Sequence, residues 1–443
     1  MERPNGIGQK RLLMRHMKNC SKRPAGVPGY GLLGTVLALC LVGSASLCGQ
    51  SFYNYVGQIE SRKVLLAWGV VGPGNNAANT IGQDSRPYGK ATVRIADRTI
   101  EAAGRNWLVV DGLMPDTSYP YEIDIDGQKR GGGEVRTWAE QATHLCFFVI
   151  GDFGNASAAQ YKVAAAMDGE FEHRAQTGCP VRFVLTVGDN IYADLRLGVL
   201  AIRSGSVDAD WESKFFRPYA ALLREIPFMP TLGNHDGNAS ENRGDLFTYL
   251  DNFFFPENRL ARWYTFTYGN LAQFFALDST NNTEVGPAAP AWRADGPQTL
   301  WLQQTLGASQ AMWKIPYFHH PPYTAGPEHP PSLKDLKSWV DLFQKDGVKV
   351  VLSGHEHNFQ FSNTAETGGI LYVVSGSGGE LRRGDVRRKM VERHIAGWAQ
   401  VHQFLSVEIE GPEMRITPVS PERFTPVDAN NRPIRLPITQ RAQ

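Results

Sequence analysis

The chain has 443 residues, of which 42% are hydrophobic and 20% charged, so it is long enough for two domains and has a globular composition. Its formal charge is +1, but the first 50 residues hold seven Lys/Arg and one acidic residue, and the remainder carries a charge of −5. A mildly acidic chain lacks the basic face that nucleic-acid binding needs, so we expect no nucleic-acid partner.

The first 50 residues have the pattern of a targeting segment. A basic stretch precedes an uncharged, apolar run over Tyr30–Gln50, and the small residues Gly43-Ser44-Ala45-Ser46 provide a cleavage region. This pattern predicts an exported protein that is secreted, periplasmic or at the cell surface. The alternative is that residues 1–50 remain as a membrane anchor, because the run is close to the length that spans a bilayer. We expect no other membrane contact.

Residues 51–140 are predicted to form a small all-β domain. Alternating apolar runs occur at Val64–Trp68, Ala91–Ile95, Trp107–Val110 and Tyr119–Ile125, with Gly, Pro, Asn and Asp turns between them. The segment Gly112–Tyr121 resembles the corner of fibronectin type III-like sandwiches, in which a tyrosine hydroxyl fixes a strand crossing.

Residues 141–420 show strands alternating with helices, the pattern of an α/β domain. A hairpin is expected from Tyr264 to Leu277, where Gly-Asn favours a tight turn. Helices are predicted at 156–174, 210–224, 297–306 and 332–344, and closing strands at 371–374, 404–409 and 414–416. Residues 421–443 are rich in Pro and Arg and are expected to form a C-terminal surface tail.

Outside the leader, the cysteines are Cys146 and Cys179. If Asp152 and Asp189 lie level at the ends of two parallel strands, the cysteines are offset by four residues, or roughly 13 Å. That exceeds the limit of about 7 Å between the Cα atoms of a disulfide. We therefore expect two buried free thiols.

Five short polar blocks between Ile150 and Asn358 carry the functional signal. They are Gly151–Gly154, Gly188–Tyr192, Gly233–Asp236, His319–Tyr323 and Gly354–Asn358. Three of them directly follow apolar, β-branched runs that read as buried strands. In an α/β sheet the carboxyl ends of such strands meet at one edge, where ligands bind.

These blocks supply two carboxylates, one amide and three imidazoles: Asp152, Asp189, Asn234, His319, His355 and His357. Each alone is common in turns, but the set in this order is the donor set of two closely spaced metal ions that act on a phosphate ester. The sequence therefore predicts a dinuclear metal site.

The blocks resemble those of the calcineurin-like metallophosphoesterases, and within them most closely the purple acid phosphatases. Most of that superfamily has a metal-binding histidine in the first block, where this chain has Gly154, which has no side chain to bind a metal. The second block instead ends in Tyr192, at the position of the iron-binding tyrosine of purple acid phosphatases. A phenolate is a hard anionic donor that favours Fe(III).

The resemblance implies two metal sites that share Asp189. The first, Fe(III), takes Asp152, Asp189, Tyr192 and His357, and the second, a divalent Fe, Zn or Mn, takes Asp189, Asn234, His319 and His355. It also implies attack of a metal-activated hydroxide on phosphorus. His235 then stabilises or protonates the leaving oxygen and is oriented by Asp236. His329 corresponds to a substrate-contacting histidine, and His320 supports the ligands without binding metal.

The fold implied is an α/β metallophosphoesterase with a four-layer α/β/β/α sandwich, preceded by the small all-β fibronectin type III-like sandwich. The activity implied is hydrolysis of small phosphate monoesters, an acid phosphatase. One alternative is a phosphodiesterase or nucleotide hydrolase on the same fold, with selectivity set by the loops around Asn238–Arg243 and Thr324–Pro331. The other is a non-catalytic surface adhesion or binding protein. Nothing in the sequence predicts the oligomeric state.

Overall fold

The computed structural model describes residues 51–72, 81–82, 85–192, 196–197, 200–201, 211–236, 249, 252–258, 261–281 and 290–442. The leader and the loop over 238–243 lie outside the described residues. None of the described helices combines the length and the apolar character that crossing a bilayer would need.

The described chain contains 22 strands and five α-helices. The strands are β1 (Ser51–Ile59), β2 (Val64–Val71), β3 (Ala91–Ile95), β4 (Arg98–Glu101), β5 (Trp107–Val110), β6 (Ser118–Ile125), β7 (Gln128–Arg136), β8 (His144–Ile150), β9 (Val181–Thr186), β10 (Arg196–Leu197), β11 (Leu200–Ala201), β12 (Phe228–Pro230), β13 (Tyr264–Tyr268), β14 (Ala272–Ala276), β15 (Trp313–Tyr317), β16 (Val350–Ser353), β17 (Phe359–Ser362), β18 (Leu371–Ser375), β19 (Ile395–Ala399), β20 (Phe404–Glu410), β21 (Glu413–Val419) and β22 (Ile438–Arg441). The helices are α1 (Ala158–Gln176), α2 (Ala220–Leu223), α3 (Pro297–Ala308), α4 (Lys337–Lys345) and α5 (Arg387–Met390), with a π-helical turn at Glu212–Phe216 and a 3₁₀ turn at Pro256–Asn258.

The N-terminal region is all-β, as its alternating pattern predicts. It consists of a three-stranded sheet in the order β1-β2-β5 and a four-stranded sheet in the order β4-β3-β6-β7, with antiparallel pairing throughout. At the predicted corner the Met114 N–H donates to the Tyr119 hydroxyl at 2.8 Å. This bond ties the start of β6 to the turn that precedes it.

The following region is built on two mixed sheets. One has six strands in the order β12-β9-β8-β20-β21-β22, and the other has seven in the order β13-β14-β15-β16-β18-β17-β19. Strands β12, β9 and β8 are parallel to one another, as are β14, β15, β16 and β18. Helices α1 to α4 lie in connections between parallel strands, as is usual for such crossovers.

The two sheets pack face to face through phenylalanines. Phe147 of β8 and Phe183 of β9 lie 5.3 and 5.1 Å, between ring centroids, from Phe274 of β14, and all three are fully buried. Burying one such side chain contributes about 1.5–3 kcal/mol, so this aromatic layer is a main stabilising feature.

Helices cover the outer faces of both sheets. Arg174 of α1 donates to Ser406 of β20 at 3.1 Å, which places α1 on the six-stranded sheet. On the other side, the Trp339 ring of α4 lies 5.5 Å from Phe318, and its indole N–H donates to Thr299 of α3 at 2.8 Å. The order of layers is α/β/β/α, and the predicted fold class is confirmed.

The helix expected over 210–224 is interrupted. A π-helical turn at Glu212–Phe216 is followed by the single turn of α2. Pro218 lies between them, and proline has no N–H to continue the helical hydrogen bonds.

The C-terminal segment is not only a surface tail, and that prediction is wrong for its last part. Residues Ile438–Arg441 form β22, which pairs antiparallel with β21 at the edge of the six-stranded sheet. Its side chains are partly or fully exposed, so its sequence lacks the apolar run by which inner strands are identified.

The prediction of two free thiols is also wrong. Cys146 and Cys179 form a disulfide, with a Cα–Cα distance of 5.7 Å. Cys146 lies opposite Val181, and a bulge between Cys146 and Phe148 absorbs one residue of the expected offset. Pairing of Ile150 with Thr186 sets Asp152 level with Gly188 instead of Asp189, which removes a second residue of the offset. The remaining two-residue offset is short enough for a bridge.

The all-β region and the α/β region are joined by polar contacts. The Tyr121 hydroxyl donates to the Arg224 carbonyl at 2.8 Å and accepts from Asn54 at the same distance. Arg182 of β9 pairs with Asp116 at 2.8 Å. The described residues of both regions cluster as one compact unit.

Candidate metal centre

The predicted blocks all follow parallel strands and meet at one edge. Asp152 follows β8, Asp189 follows β9 and Asn234 follows β12, all in the six-stranded sheet. His319 follows β15, and His355 and His357 follow β16, in the seven-stranded sheet. Because the sheets are stacked, donors from both reach the same space between their carboxyl ends.

The turns that carry these residues have unusual backbone conformations. Asp152, Asp189 and His355 have φ values of +56°, +49° and +69°, in the left-handed region that non-glycine residues rarely adopt. Backbone bonds between the turns hold them there, including Asp152 N–H to the Gly188 carbonyl at 3.1 Å. Such strained residues concentrate at functional sites, where the surrounding structure fixes them.

A first cluster of donor atoms surrounds the Tyr192 hydroxyl. Its oxygen lies 2.9 Å from Asp189 Oδ2, 3.1 Å from Asp152 Oδ1 and 3.2 Å from His357 Nε2. His357 Nε2 is in turn 3.2 Å from Asp152 Oδ1. These four residues are the set predicted for the first metal ion.

The absence of a side chain at position 154 has a steric cause. A Cβ on Gly154 would lie far inside contact distance of the Asn190 backbone carbonyl. The Gly154 carbonyl accepts the Tyr192 N–H at 2.7 Å, so the first and second blocks run directly against each other. A histidine therefore has no room at position 154, and Tyr192 provides the donor from the neighbouring block.

A second cluster surrounds His319 Nε2. This nitrogen lies 3.0 Å from Asn234 Oδ1, 3.1 Å from His355 Nδ1 and 3.3 Å from Asp189 Oδ2. On the other side of the ring, His319 Nδ1 lies 2.9 Å from the Val187 carbonyl. That carbonyl can only accept, so Nδ1 carries a proton and Nε2 is the ring nitrogen that can bind a metal ion.

Asp189 belongs to both clusters. Its Oδ2 faces the Tyr192 hydroxyl on one side and His319 on the other, while its Oδ1 accepts the His235 N–H at 2.8 Å. The carboxylate is fully buried, and it would be shared by metal ions held in the two clusters.

Electrostatics in the clusters is governed by burial and by the charges of neighbouring ionisable groups. Burial raises the pKa of Tyr192 well above its usual value, and the charges of Asp152, Asp189 and Glu380 raise it further. Burial also opposes ionisation of Asp189, but His319 and His235 outweigh it and lower the pKa of that carboxyl. Burial lowers the pKa of His319, whereas Asp189 and Asp152 raise it, to about 9.

The donor set fits two metal ions. Each carboxylate, phenol, amide and imidazole donor lies within 3.3 Å of at least one other donor, and ligand atoms of Asp152, Asp189 and His319 lie within 4.8 Å of one another. Cations would neutralise the two buried carboxylates. The oxygen donors Asp152, Asp189 and Tyr192 suit a hard trivalent ion, and the nitrogen-rich side with His319 and His355 suits a divalent one.

His235 and Asp236 lie at the rim of the first cluster. The His235 ring centroid is 4.6 Å from that of Tyr192, which leaves it beside the donor atoms. The Asp236 carboxylate accepts from Gly233 N–H at 2.7 Å and from the Asn190 side chain at 2.9 Å, so it fastens two turns together. Orientation of His235 by Asp236 stays a prediction.

His329 and His320 lie beside the second cluster. The His329 ring is stacked on His355 with 3.9 Å between centroids, and burial together with Arg382 lowers its pKa to about 4. The His320 ring lies 4.4 Å from that of His355, and its Nδ1 is 3.0 Å from the Ser279 hydroxyl. His320 can therefore support the cluster from behind.

Four residues near the site were not predicted from the sequence. Lys214 Nζ donates to the Tyr192 carbonyl at 2.5 Å, and Ser279 holds His320. Glu356 accepts the His329 N–H at 2.9 Å, and Glu380 accepts from Asn155 at 2.9 Å. Of these four residues, Glu356 alone could have been suspected from the sequence, because it stands between the predicted ligands His355 and His357.

Part of the chain matches a known protein family. Residues 147–359 match the family described as calcineurin-like phosphoesterase. An uncharacterized protein of Mycobacterium tuberculosis is 24% identical over 335 residues, 69% of this chain and 61% of the relative. The chain thus spans about three fifths of that protein's length.

Two further comparisons involve acid phosphatases. Tartrate-resistant acid phosphatase type 5 of Homo sapiens is 26% identical over 293 residues, covering 62% of this chain and 86% of that protein. The solved structure of a purple acid phosphatase from yellow lupin seeds superposes with a TM-score of 0.60 at 15% identity, over 88% of this chain and 74% of that one. At that identity the superposition shows a shared fold.

Proposed function

We propose that this chain, whose residues 147–359 match the calcineurin-like phosphoesterase family, is a hydrolase of small phosphate monoesters, an acid phosphatase that uses two metal ions. Asp152, Asp189, Tyr192 and His357 would hold Fe(III), and Asp189, Asn234, His319 and His355 a divalent Fe, Zn or Mn.

The observation that carries the proposal is the position of the Tyr192 hydroxyl. It lies within 3.2 Å of donor atoms from Asp152, Asp189 and His357, which come from three separate blocks. A tyrosine in this place favours iron and an acid phosphatase over the remaining metallophosphoesterases, which the sequence resemblance associates with a histidine ligand. The acid phosphatases among the relatives support the same choice.

When bound, two such cations neutralise the phosphoryl oxygens and lower the pKa of water at the centre. The chain's own residues provide the rest. Asp189 fixes the separation of the two sites, and the backbone bond from His235 to Asp189 holds the His235 ring next to them. From there His235 can give a proton to the leaving alkoxide, and His329 can contact the substrate at the opposite side.

The substrate is expected to be small. We also propose that the protein is exported to an oxidising compartment. The disulfide between Cys146 and Cys179 supports export, because such bonds form and persist outside the reducing cytosol.

One of the two loops expected to separate monoester from diester substrates lies outside the described residues, so a phosphodiesterase or nucleotide hydrolase is an outcome that the test must distinguish.

The test combines metal analysis with spectroscopy. Purified protein should contain two metal ions per chain and absorb visible light through phenolate-to-iron charge transfer. Tyr192→Phe should remove that band, whereas Tyr161→Phe, a change to a tyrosine of α1, should leave it. A colourless protein active with two zinc ions would contradict the iron assignment.

Substrate class is tested by comparing p-nitrophenyl phosphate with bis-p-nitrophenyl phosphate at acidic and neutral pH. We expect the monoester to be hydrolysed faster, most clearly at acidic pH. Dominant diester hydrolysis would overturn the monoesterase proposal and favour the phosphodiesterase. Metal-loaded protein that hydrolyses neither ester nor any nucleotide would favour the binding protein.

A further inference from the structure

A second group of metal-binding side chains lies on the outer face of the six-stranded sheet. His144, Cys146, Cys179 and Glu408 each offer one donor atom, and these four atoms lie within 4.8 Å of one another. None of these residues belongs to the predicted dinuclear centre. We propose that the four residues, termed here the thiolate cluster, bind one zinc-like divalent cation when the disulfide is reduced. The proposal does not depend on the proposed hydrolysis.

Strand pairing brings three of the donors together. His144 and Cys146 are two residues apart on β8, so their side chains leave the same face of the sheet. Glu408 of β20 lies directly opposite Cys146, and its Oε1 is 2.9 Å from His144 Nε2. Cys179 lies between α1 and β9, where its N–H donates to the Arg174 carbonyl at 3.0 Å. The thiolate cluster therefore joins two neighbouring strands to the end of a helix.

The donor types are those of a zinc site. Zinc binds thiolate, imidazole and carboxylate groups, and four donors complete its tetrahedral shell. From the metal-to-ligand distances, donor atoms around such an ion are roughly 3–4 Å apart. His144 Nε2 and Glu408 Oε1 already have nearly that separation, at 2.9 Å. The two sulfur atoms have to move apart from bonding distance, which reduction of the disulfide allows.

The ion pairs of Glu408 leave one of its oxygens for a metal ion. Arg174 binds the other oxygen, Oε2, at 3.0 Å, and it also pairs with Glu170. Arg415 is 3.8 Å from Glu408 Oε1 but lies closer to Glu413, at 2.7 Å. The oxygen Oε1 therefore faces His144 as its nearest partner.

The charges of the reduced cluster suit a divalent cation. Burial opposes ionisation of Glu408, but the bonds from His144 and Arg174 outweigh it and lower the pKa of that carboxyl. Two thiolates and this carboxylate would carry three negative charges. A divalent cation together with Arg174 balances them, so no buried charge is left without a partner.

The thiolate cluster is open on one side. Cys146 and Cys179 are buried, whereas the side chain of His144 is 39% exposed. An ion can therefore enter past the imidazole, while the protein shields the sulfur atoms from water. Because a bound metal ion contributes its binding free energy to folding, the ion would link β8 to the chain before β9 as the disulfide does in the oxidised protein.

The chemistry of the change balances with a trialkylphosphine as the reductant. The phosphine takes the oxygen of one water molecule and becomes a phosphine oxide, the S–S bond breaks, and the two hydrogens of the water become the thiol protons. Cation binding then replaces both thiol protons, which are released to solvent.

The experiment uses cobalt(II) as a spectroscopic substitute for zinc. Thiolate ligands give cobalt an intense charge-transfer absorption in the near ultraviolet, which the oxygen and nitrogen donors of the predicted dinuclear centre do not produce. Full-length protein with the leader cysteines Cys20, Cys40 and Cys48 changed to serine is produced and kept under the phosphine. Titration confirms two free thiols. We expect the absorption in the reduced protein and none in the oxidised protein.

His144→Ala should weaken cobalt binding by the reduced protein at least tenfold. The matched control is His394→Ala, since His394 also lies 2.9 Å from a glutamate, Glu366, and has a side chain that is 45% exposed, but it does not belong to the cluster. This control should bind cobalt as tightly as the parent protein.

A second measurement uses zinc and no chromophore. Zinc should raise the melting temperature of the reduced parent protein by more than that of reduced His144→Ala. Reduced protein without the thiolate absorption, whether folded or unfolded, would overturn the proposal. Parent affinity in His144→Ala, or an equal loss in His394→Ala, would overturn it as well.

Discussion

The backbone carbonyl of Asn190 fills the space where a side chain on Gly154 would begin. The same close approach allows the Tyr192 N–H to donate to the Gly154 carbonyl at 2.7 Å and brings the phenol against Asp152 and Asp189. The glycine in the first block therefore permits the close approach of the two turns that places the tyrosine of the second block beside the carboxylates.

Gly154→Ala should therefore damage the site even though it adds a single methyl group. The two turns must move apart, which we expect to cost about 2 kcal/mol or more of unfolding free energy and to displace Tyr192. Denaturant unfolding and iron content measure the two effects. The matched control is Gly169→Ala in α1, where a Cβ meets open space and a gain of about 0.5–1 kcal/mol is expected. Full iron content in Gly154→Ala would contradict this steric account.

Removal of metal should destabilise the protein strongly. Asp152, Asp189 and Tyr192 are buried together, and ions that bind only the folded chain stabilise it by about 4 kcal/mol each at a thousand times their dissociation constant. Chelation should lower the melting temperature, and Asp189→Asn should show a smaller drop because it binds the ions weakly from the start. Identical melting temperatures with and without chelator would argue against metal binding at this cluster.

The disulfide should affect stability but not the metal centre. The bond closes a loop across a sequence separation of 33 residues, for which chain entropy gives about 3–4 kcal/mol. Cys146 lies six residues before Asp152, roughly 20 Å along an extended strand. The variant with both cysteines changed to serine should unfold at lower denaturant concentration while keeping its metal content and visible band. Loss of the band would mean that the bond also positions the strand ends.

Asp168 on α1 should make stability fall as pH rises. Burial and the charge of Glu172 raise its pKa to about 6, against about 3.9 in an unfolded chain. The folded state holds this proton more tightly, so stability decreases between about pH 4 and pH 6 and stays lower above. Because the group is only half buried, we expect Asp168→Asn to gain on the order of 1 kcal/mol at pH 7.5.

That gain should vanish near pH 4, where the wild-type carboxyl also carries its proton. Chemical denaturation at the two pH values measures the difference. Glu172→Gln should give a smaller gain in the same direction, because it removes the secondary cause of the shift and leaves the burial. A gain that does not change with pH would indicate a helix-propensity effect instead.

The strand ends and the donor types could be read from the sequence because both are local properties. Asp152 and His355 each stand two residues beyond a buried run, next to a glycine that permits the turn. Lys214 and Ser279 could not be found in this way. Lys214 reaches Tyr192 from a helical turn whose sequence shows no sign of a site, and Ser279 meets His320 only because β14 and β15 are neighbours.

The disulfide shows how sensitive such reasoning is to register. A bulge beside Cys146 and a shift of one residue at Asp152 changed the separation of two cysteines from out of reach to bonding distance. Neither the bulge nor the register shift can be recognised in the amino-acid pattern, since both result from how β8 and β9 pair with each other and pack against their neighbours. For the same reason β22 was not found: its pairing depends on an edge that β21 provides.

The sequence by itself determined which groups would be available, namely carboxylates, a phenol, an amide and imidazoles in turns after buried strands. Only the tertiary structure decided that Asp189 faces both Tyr192 and His319 and that Gly154 has no room for a side chain. Turn and strand preferences come from short-range sterics along the chain, whereas these contacts between distant residues depend on the packing of two sheets and their connecting loops.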